Sequence, residues 1–189
     1  MVNIAIFASG SGTNAENIVR YFDKHPKAKV DIILSNNPNA YVLERAKKLH
    51  IPAIVFTREQ LYKDNTILNL LKYRGIDFIV LAGFLWKIPE NIIKAYPRRI
   101  VNIHPALLPK YGGKGMYGNH VHKAVLEAGE KKSGITIHYV NENYDEGDII
   151  FQTQCPVLPN DTVETLAQRV HQLEYEHYPR IIEQLITNL

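Results

Sequence analysis

The sequence contains little cysteine and tryptophan and no long apolar run. Its 189 residues include one cysteine and one tryptophan, and Asn3 interrupts the apolar run that opens the chain. Cys155 therefore has no partner for an internal disulfide, and the strand-like residues around it predict that it is buried and inert. The opening run is too short for a membrane span and has no basic leader of a signal peptide, so we expect a cytoplasmic protein without membrane contact.

The sequence also has no large excess of positive or negative charge. The formal net charge is +3, and adjacent basic residues occur only as the pairs Lys47-Lys48, Arg98-Arg99 and Lys131-Lys132. This distribution argues against a nucleic-acid surface but suits small anionic ligands. An apolar content of 46% is ordinary for a globular protein, and the length predicts one domain over residues 1–189.

A strand-like run, Val2–Ala8, is followed by a glycine-rich turn and then by a helical pattern. Glycines let the backbone approach a phosphate, and the amides that open a helix point toward it with the favourable sign of the helix dipole. Gly12, Thr13 and Asn14 lie where the turn enters the helix. They are therefore candidate ligands of a terminal phosphate.

The same turn also fits another binding motif. Gly10-x-Gly12-x-x-Ala15 matches a dinucleotide fingerprint, which would make the protein a nicotinamide-dependent oxidoreductase. That motif expects an acidic residue at the end of the next strand, but the predicted strand Val30–Leu34 is followed by Ser35-Asn36-Asn37-Pro38. The side-chain donors of the turn suit a terminal monophosphate better than a bridged pyrophosphate. A purely structural turn and a nucleotide-binding module without enzymatic activity remain alternatives.

Short apolar runs alternate with helical patterns along the first half of the chain. The elements predicted after the glycine turn are a strand over 30–34, a helix over 41–49, a strand over 53–56, a helix over 58–73, and strands over 78–82, 100–104, 134–140 and 149–154. A last helix begins with the capping-box arrangement Asp161-Thr162-Val163-Glu164 and is expected to bend at Pro179. The βαβαβα order predicts an α/β fold, a Rossmann-like three-layer α/β/α arrangement around a mostly parallel twisted sheet.

An aromatic-rich loop, Gly83–Pro89, follows the predicted strand over 78–82. Loops usually lack large apolar groups, so a loop of this kind at the carboxyl end of a strand predicts the wall of a pocket for a flat heterocycle. The alternative is that Phe84 and Trp86 only cover the core. A second loop, Gly112–Gly118, contains four glycines and is expected to act as a flexible lid.

The run Ile100–His104 predicts a buried strand that ends where Pro105 removes a backbone donor. Side chains alternate faces along a strand, which puts Asn102 and His104 on one side near its carboxyl end, where parallel sheets bind ligands. An amide can donate to a developing oxyanion, and an imidazole can exchange protons near neutral pH. The pair looks like half of an acyl-transfer site, although a turn-starting asparagine beside a hydrogen-bonded histidine would give the same pattern.

Two carboxylates and two histidines outside this strand are further candidates. Asp145 precedes Gly147 in an acidic turn that could aim it at the site, whereas the other carboxylates of the turn are expected to be solvated. Glu174 falls on the apolar stripe of the last helix, where ribose hydroxyls could satisfy it unless it reaches water. His120 and His122 do not share a helix face and lack a third ligand, so no metal is expected, although His120 could border the pocket.

Together these segments resemble the phosphoribosylglycinamide (GAR) formyltransferases, a folate-dependent family of purine synthesis. The matching segments are Ser9–Asn14, Leu43–Ala46, Val80–Phe84, Val101–Pro105, Leu107–Tyr111 and Tyr144–Gly147. The asparagine and histidine before Pro105, with the later aspartate, match the signature of the formyltransferase superfamily. The phosphate loop narrows the match to the GAR enzymes, and the resemblance covers nearly the whole chain.

The resemblance implies a role for each matching residue. His104 would be the catalytic acid and base, Asn102 would hold the formyl oxygen, and Asp145 would raise the pKa of the imidazole. The implied binding residues are Gly12, Thr13 and Asn14 for the substrate phosphate, Glu174 for its ribose, and Arg58, Leu85, Trp86, Lys87, Ile88 and Asn102 for the folate. Trp86 and Lys87 depart from the Met-Arg pair frequent in the family, and His171 stands where a glutamine is expected.

The implied reaction moves the formyl group of 10-formyltetrahydrofolate directly to the amine of GAR through a tetrahedral intermediate. Asn102 and protonated His104 would donate to its oxyanion, without a metal or a covalent intermediate. Other folate-dependent formyltransferases and formyltetrahydrofolate hydrolases share such a site and remain alternatives, although tRNA-specific enzymes and hydrolases usually carry an added domain. The expected partners are GAR and folate, with no nucleic acid or membrane, in a monomer or homodimer.

Overall fold

All seven strands of the protein belong to one sheet. The computed structural model describes residues 1–189. The strands are β1 Val2–Phe7, β2 Ala28–Ser35, β3 Ala53–Val55, β4 Phe78–Leu81, β5 Ile100–His104, β6 Lys132–Tyr139 and β7 Ile149–Pro156. Their order is β3-β2-β1-β4-β5-β6-β7, and neighbours are parallel from β3 to β5 and antiparallel from β5 to β7. The predicted mostly parallel sheet is confirmed.

The helices cover both faces of this sheet. They are α1 Thr13–Phe22, α2 Val42–Lys48, α3 Arg58–Tyr62, α4 Thr66–Tyr73, α5 Glu90–Ala95, α6 Asn119–Glu127 and α7 Val163–Thr187. Alternation along β1 produces two cores: Ile4 and Ile6 belong to the core of α1, α6 and α7, whereas Ala5 and Phe7 belong to that of α3, α4 and α5. The predicted three-layer architecture follows from these two cores.

The structure divides the helix that was predicted over 58–73. α3 ends at Tyr62, and α4 begins at Thr66. Between them the carboxylate of Asp64 accepts a hydrogen bond from the backbone N–H of Thr66 at 2.8 Å. Such a local turn competes with the continuing helix, which explains the break. The prediction missed α5, because a helix of six residues is too short to reveal its period.

Helix α7 begins with a capping box and continues without interruption to its end. Thr165, rather than Glu164, completes the box. Pro179 lies inside the helix and has no N–H to donate to the carbonyl of Tyr175. That carbonyl instead accepts a hydrogen bond from Nδ2 of Asn17 at 3.0 Å, so the proline frees an acceptor that ties α7 to α1.

Cys155 lies in β7 and is buried, as its surroundings predicted. Burial raises the pKa of its thiol, which favours the unreactive protonated form. Among the helices, none combines the length and the apolar character that a bilayer crossing requires.

The loops that follow β1 and β4 meet at one edge of the sheet because these strands are parallel. Ser9 joins them: its N–H donates to the carbonyl of Gly83 at 3.1 Å, and its Oγ accepts the N–H of Leu85 at 3.0 Å. The same hydroxyl donates to Oδ1 of Asn36 at 2.6 Å. Asn36 therefore occupies the end of β2, where a dinucleotide site would need a carboxylate.

Candidate active site

A cavity of about 650 Å³ lies at the carboxyl edge of the parallel strands. It is lined by the glycine turn, the aromatic loop, the end of β5, the glycine-rich loop before α6, the acidic turn and α7. The predicted site residues that it brings together are Gly12, Thr13, Asn14, Leu85, Trp86, Lys87, Ile88, Asn102, His104, Asp145 and Glu174. Arg58 lines a neighbouring cavity instead.

The side chain of His104 is buried at the end of β5, with both ring nitrogens facing an oxygen. Nδ1 lies 3.5 Å from Oδ1 of Asp145, and Nε2 lies 2.7 Å from the carbonyl oxygen of Tyr111. A carbonyl oxygen can only accept a hydrogen bond, so Nε2 carries a proton in the neutral ring. Nδ1 is therefore the nitrogen that can take up and release a second proton.

Burial lowers the pKa of His104 below its usual 6.5, because the charged imidazolium is poorly solvated in the interior. The charge of Asp145 and the hydrogen bond to Tyr111 oppose this effect without outweighing it, while His138 adds repulsion. The predicted effect of Asp145 is in the expected direction, because its charge raises the pKa of His104, but burial, which the prediction left out, outweighs it. The resting ring is neutral at pH 7.

Asp145 is positioned by backbone geometry and by polar neighbours. Its φ of 56° places it in the left-handed region, and its Oδ2 accepts the N–H of Gly113 at 3.0 Å. Burial raises the pKa of Asp145, but the close contacts with His138 and His104 and the hydrogen bond from Gly113 outweigh burial and lower it. Gly147 allows the turn to close, because a Cβ there would lie 1.6 Å from the carbonyl oxygen of Tyr139.

Sequence reasoning missed His138, which pairs with Asn102 across β5 and β6. Its Nδ1 lies 2.8 Å from the carbonyl oxygen of Tyr139, and its Nε2 lies 3.2 Å from Nδ2 of Asn102. The carbonyl keeps the proton on Nδ1, so Nε2 of the neutral ring accepts one hydrogen of the Asn102 amide. The second amide hydrogen stays available to a ligand. A histidine inside the otherwise apolar run of β6 was the signal that could have revealed it.

The amino terminus of α1 forms an uncapped anion cradle. Gly12 is the N-cap residue with a φ of 76°, and a Cβ there would lie 2.3 Å from Cγ2 of Val42. No side chain caps the helix, and the backbone N–H groups of Thr13, Asn14 and Ala15 make no hydrogen bond within the protein. These three donors and the helix dipole favour a bound phosphate.

The side chain of Asn14 connects this cradle to α7. Its Nδ2 donates to Oε2 of Glu174 at 2.7 Å, so Asn14 offers an anion its backbone N–H while its side chain positions the carboxyl group. Burial raises the pKa of Glu174 to about 7, and the hydrogen bond from Asn14 only partly opposes this rise. The carboxyl group can therefore donate to, or accept from, a sugar hydroxyl at neutral pH.

Two further histidines of the cavity lie close to each other. The ring centroids of His122 and His171 are 6.4 Å apart, and Nδ1 of the buried His122 has no hydrogen-bond partner. Burial, with repulsion from His171 and His104, lowers the pKa of His122 to about 4. His120 is exposed, packs against Tyr117 and does not line the cavity. The expectation that His120 borders the pocket is wrong, because its helical position turns it to the surface.

The aromatic loop serves both purposes considered for it. Phe84 packs edge-on against Phe7, with ring centroids 5.3 Å apart, and belongs to the core. Trp86 packs only at the margin of that core and lines the cavity with its neighbours. The guanidinium of Arg58 lies 4.9 Å from the centroid of the Trp86 ring, within cation–π distance.

A sheet of this order, with a proton-exchanging group and an anion cradle sharing its carboxyl edge, fits an α/β protein of the acyl-transfer class. Within that class the chain belongs to the formyl transferase family, whose sequence pattern matches residues 2–182.

Relatives with high coverage agree with this assignment. The chloroplastic phosphoribosylglycinamide formyltransferase of Arabidopsis thaliana is 41% identical over 185 residues, which cover 95% of this chain and 63% of that relative. The Bacillus subtilis phosphoribosylglycinamide formyltransferase is 37% identical over 191 residues, covering 98% and 95%. The crystal structure of the Streptococcus pneumoniae protein of that name is 36% identical, with a TM-score of 0.87 and coverage of 98% and 99%. The chain thus spans less than two thirds of the plant relative.

Proposed function

We propose that the protein transfers the formyl group of 10-formyltetrahydrofolate to the amine of GAR, giving formyl-GAR and tetrahydrofolate. The observation that carries this proposal is that one cavity contains both the uncapped amino terminus of α1 and the His104–Asp145 pair. A substrate held by its phosphate at one end can present an amine at the other, which converts a bimolecular step into a positioned one.

The GAR end of the cavity is formed by α1 and α7. The backbone N–H groups that follow Gly12, those of Thr13 and Asn14, donate to the substrate phosphate. Glu174 contacts the ribose hydroxyls, since it is the buried carboxyl group that Asn14 holds at the cavity wall. His171 also lines the cavity and presents a ring where a glutamine was expected.

The folate end is formed by the aromatic loop and the end of β5. The segment Leu85–Ile88 supplies the wall for the flat pterin, which suits its mixture of apolar and aromatic side chains. Asn102 directs its free amide hydrogen at the formyl oxygen. Arg58 lies outside the main cavity and meets the part of the folate that leaves it.

Formyl transfer requires one proton to move from the amine nitrogen of GAR to N10 of the folate. The GAR amine attacks the formyl carbon, and the carbonyl oxygen becomes an oxyanion that accepts a hydrogen bond from Asn102. Nδ1 of neutral His104 takes the proton that the amine loses, and Asp145 stabilises the imidazolium that forms. The imidazolium then gives the proton to N10 of the folate as the bond between carbon and N10 breaks.

Hydrolysis of the formyl donor is the second function that this site could support, because water in place of the amine would use the same groups. Purified protein is mixed with a 10-formyl folate, with and without GAR, and the deformylated folate is followed by absorbance. We expect release that requires GAR, together with formyl-GAR detected by mass spectrometry. Release without GAR would indicate a hydrolase, and no release in either mixture would contradict both functions.

A further inference from the structure

The glycine turn after β1 is held by the first residues of α2 through two backbone carbonyls. The carbonyl oxygen of Gly10 accepts the N–H of Val42 at 3.1 Å. That of Ser11 accepts a hydrogen bond from Nε of Arg45 at 2.6 Å. Ser11 lines the main cavity, whereas Arg45 does not. Arg45 therefore contacts the turn on the side that faces away from the space for a ligand.

The same guanidinium binds a carboxylate in the first turn of α1. Nη1 of Arg45 donates to Oε2 of Glu16 at 2.6 Å, and the two side chains are 24% and 23% exposed. Arg20 donates to the other oxygen, Oε1, from Nε at 3.0 Å and from Nη2 at 2.9 Å, but its side chain is 67% exposed. Because ion pairs with exposed side chains contribute little, Arg45 is the main partner of Glu16. It also lowers the pKa of Glu16 more than Arg20 does.

Without a partner, Glu16 would oppose an anion at the amino terminus of α1. It lies in the same first turn of the helix as the free N–H groups of the anion cradle. A carboxylate there competes with a phosphate for the positive end of the helix dipole and repels its charge. The two guanidinium charges of Arg20 and Arg45 and the one carboxylate charge of Glu16 leave a net charge of +1 beside the cradle. This charge attracts an anion.

We infer that Arg45 is a positioning residue for the phosphate of the substrate, which it assists without touching it. Its guanidinium keeps the carbonyl oxygen of Ser11 turned from the cradle and offsets the charge of Glu16, so a phosphate meets N–H donors with no uncompensated carboxylate beside them. This inference rests on the proposed function, because it takes GAR as the ligand whose phosphate enters the cradle. The planar fork of an arginine reaches a carbonyl and a carboxylate at once, which the single ammonium of a lysine does not.

Isothermal titration calorimetry of the full chain with GAR measures the effect of Arg45 directly. Arg45→Gln should raise the Kd for GAR about tenfold, because it removes two charge-assisted hydrogen bonds behind the cradle. Glu16 keeps Arg20 as a partner in this variant, so no carboxylate is left unpaired. The Kd for tetrahydrofolate, followed by the fluorescence of Trp86 in the cavity wall, should stay at the wild-type value.

Two further variants separate this role from a merely structural one. Lys47→Gln removes a positive charge from an exposed position of α2 that does not line the main cavity, and it should bind GAR as the wild type does. Addition of Glu16→Gln to Arg45→Gln removes the carboxylate whose charge Arg45 offset. The double variant should therefore bind GAR at least about threefold more tightly than Arg45→Gln alone.

Three results would overturn the inference. They are an unchanged Kd for GAR in Arg45→Gln, a double variant that binds GAR as weakly as Arg45→Gln, and equal losses of affinity for GAR and for tetrahydrofolate, which would indicate a general loosening of the fold. These results leave the proposed function standing, because formyl transfer by the wild type tests that function. A wild-type protein that does not bind GAR would contradict the proposed function and the inference with it.

Discussion

Nδ1 of His104 lies 3.5 Å from Oδ1 of Asp145, which joins the end of a central strand to the turn between β6 and β7. The other ring nitrogen is committed to the carbonyl of Tyr111 at 2.7 Å. The contact with Tyr111 fixes the tautomer of the neutral ring, and the contact with Asp145 stabilises a second proton on Nδ1. The proposed proton transfer requires that only Nδ1 exchanges a proton, while Nε2 stays bonded to the carbonyl.

The pKa of His104 provides the first prediction. We expect it to lie below 6.5 in the unliganded protein, because burial outweighs the attraction of Asp145. Asp145→Asn removes that attraction, so the pKa of His104 should fall further. NMR titration of the histidine rings measures both values, with His104→Gln to assign the signal. A higher pKa in the Asp145→Asn protein would be incompatible with the account.

Removal of the amide of Asn102 tests the oxyanion contact. Asn102→Ala should lower kcat by about 10²–10³, since the donor acts on charge that develops only in the transition state, while KM for GAR changes little. Asn69→Ala removes an exposed amide on α4 and is the control. A kcat of Asn102→Ala within threefold of the control would exclude the assigned role.

A side chain at position 12 should destabilise the fold by a steric clash that does not involve the catalytic groups. Gly12→Ala should lower the free energy of unfolding by about 1–3 kcal/mol and raise KM for GAR, because its Cβ meets Val42 at 2.3 Å and its φ is positive. Gly10→Ala is the matched control: no atom lies within 4 Å of its Cβ. Denaturant unfolding of both variants checks the prediction, and equal stabilities would contradict it.

The buried carboxyl of Glu174 should make stability depend on pH. Its pKa is raised by burial from 4.5 to about 7, so the folded chain binds the proton more tightly than the unfolded chain. This stabilisation, about 3 kcal/mol, is complete below pH 4.5 and is lost as the pH rises through 7. Glu174→Gln keeps an acceptor for Asn14 but cannot ionise.

The free energy of unfolding of Glu174→Gln should therefore rise relative to the wild type between about pH 5 and pH 8. Denaturant titrations at both pH values measure the difference. If the free energies of unfolding of the two proteins differ by the same amount at pH 5 and at pH 8, Glu174 does not titrate as described.

Local sequence patterns were sufficient to predict the parts of the site that a single segment of the chain forms. The strand Ile100–His104 has the predicted bounds, because a β-branched run and a following proline define both of its ends. Gly12 lies at the start of α1 as predicted, since glycine turn chemistry is also local. The bounds of these elements therefore required no knowledge of the tertiary structure.

Features that depend on packing between distant segments could not be predicted in this way. The contact of His138 with Asn102 arises from the register of β5 and β6, which no local pattern specifies. The direction of the pKa shift of His104 depends on how far the ring is buried. The break after α3 depends on a single hydrogen bond from Thr66 to Asp64 that competes with a continuous helix.

The single-turnover rate of His104→Gln tests the central claim most directly. With GAR and a 10-formyl folate bound, the account predicts formyl transfer at least about 100-fold slower than in the wild type, because no group can carry the proton between the two nitrogens. His120→Gln, which changes an exposed histidine outside the cavity, should react at the wild-type rate. Transfer by His104→Gln at a rate within threefold of the wild type would contradict the account.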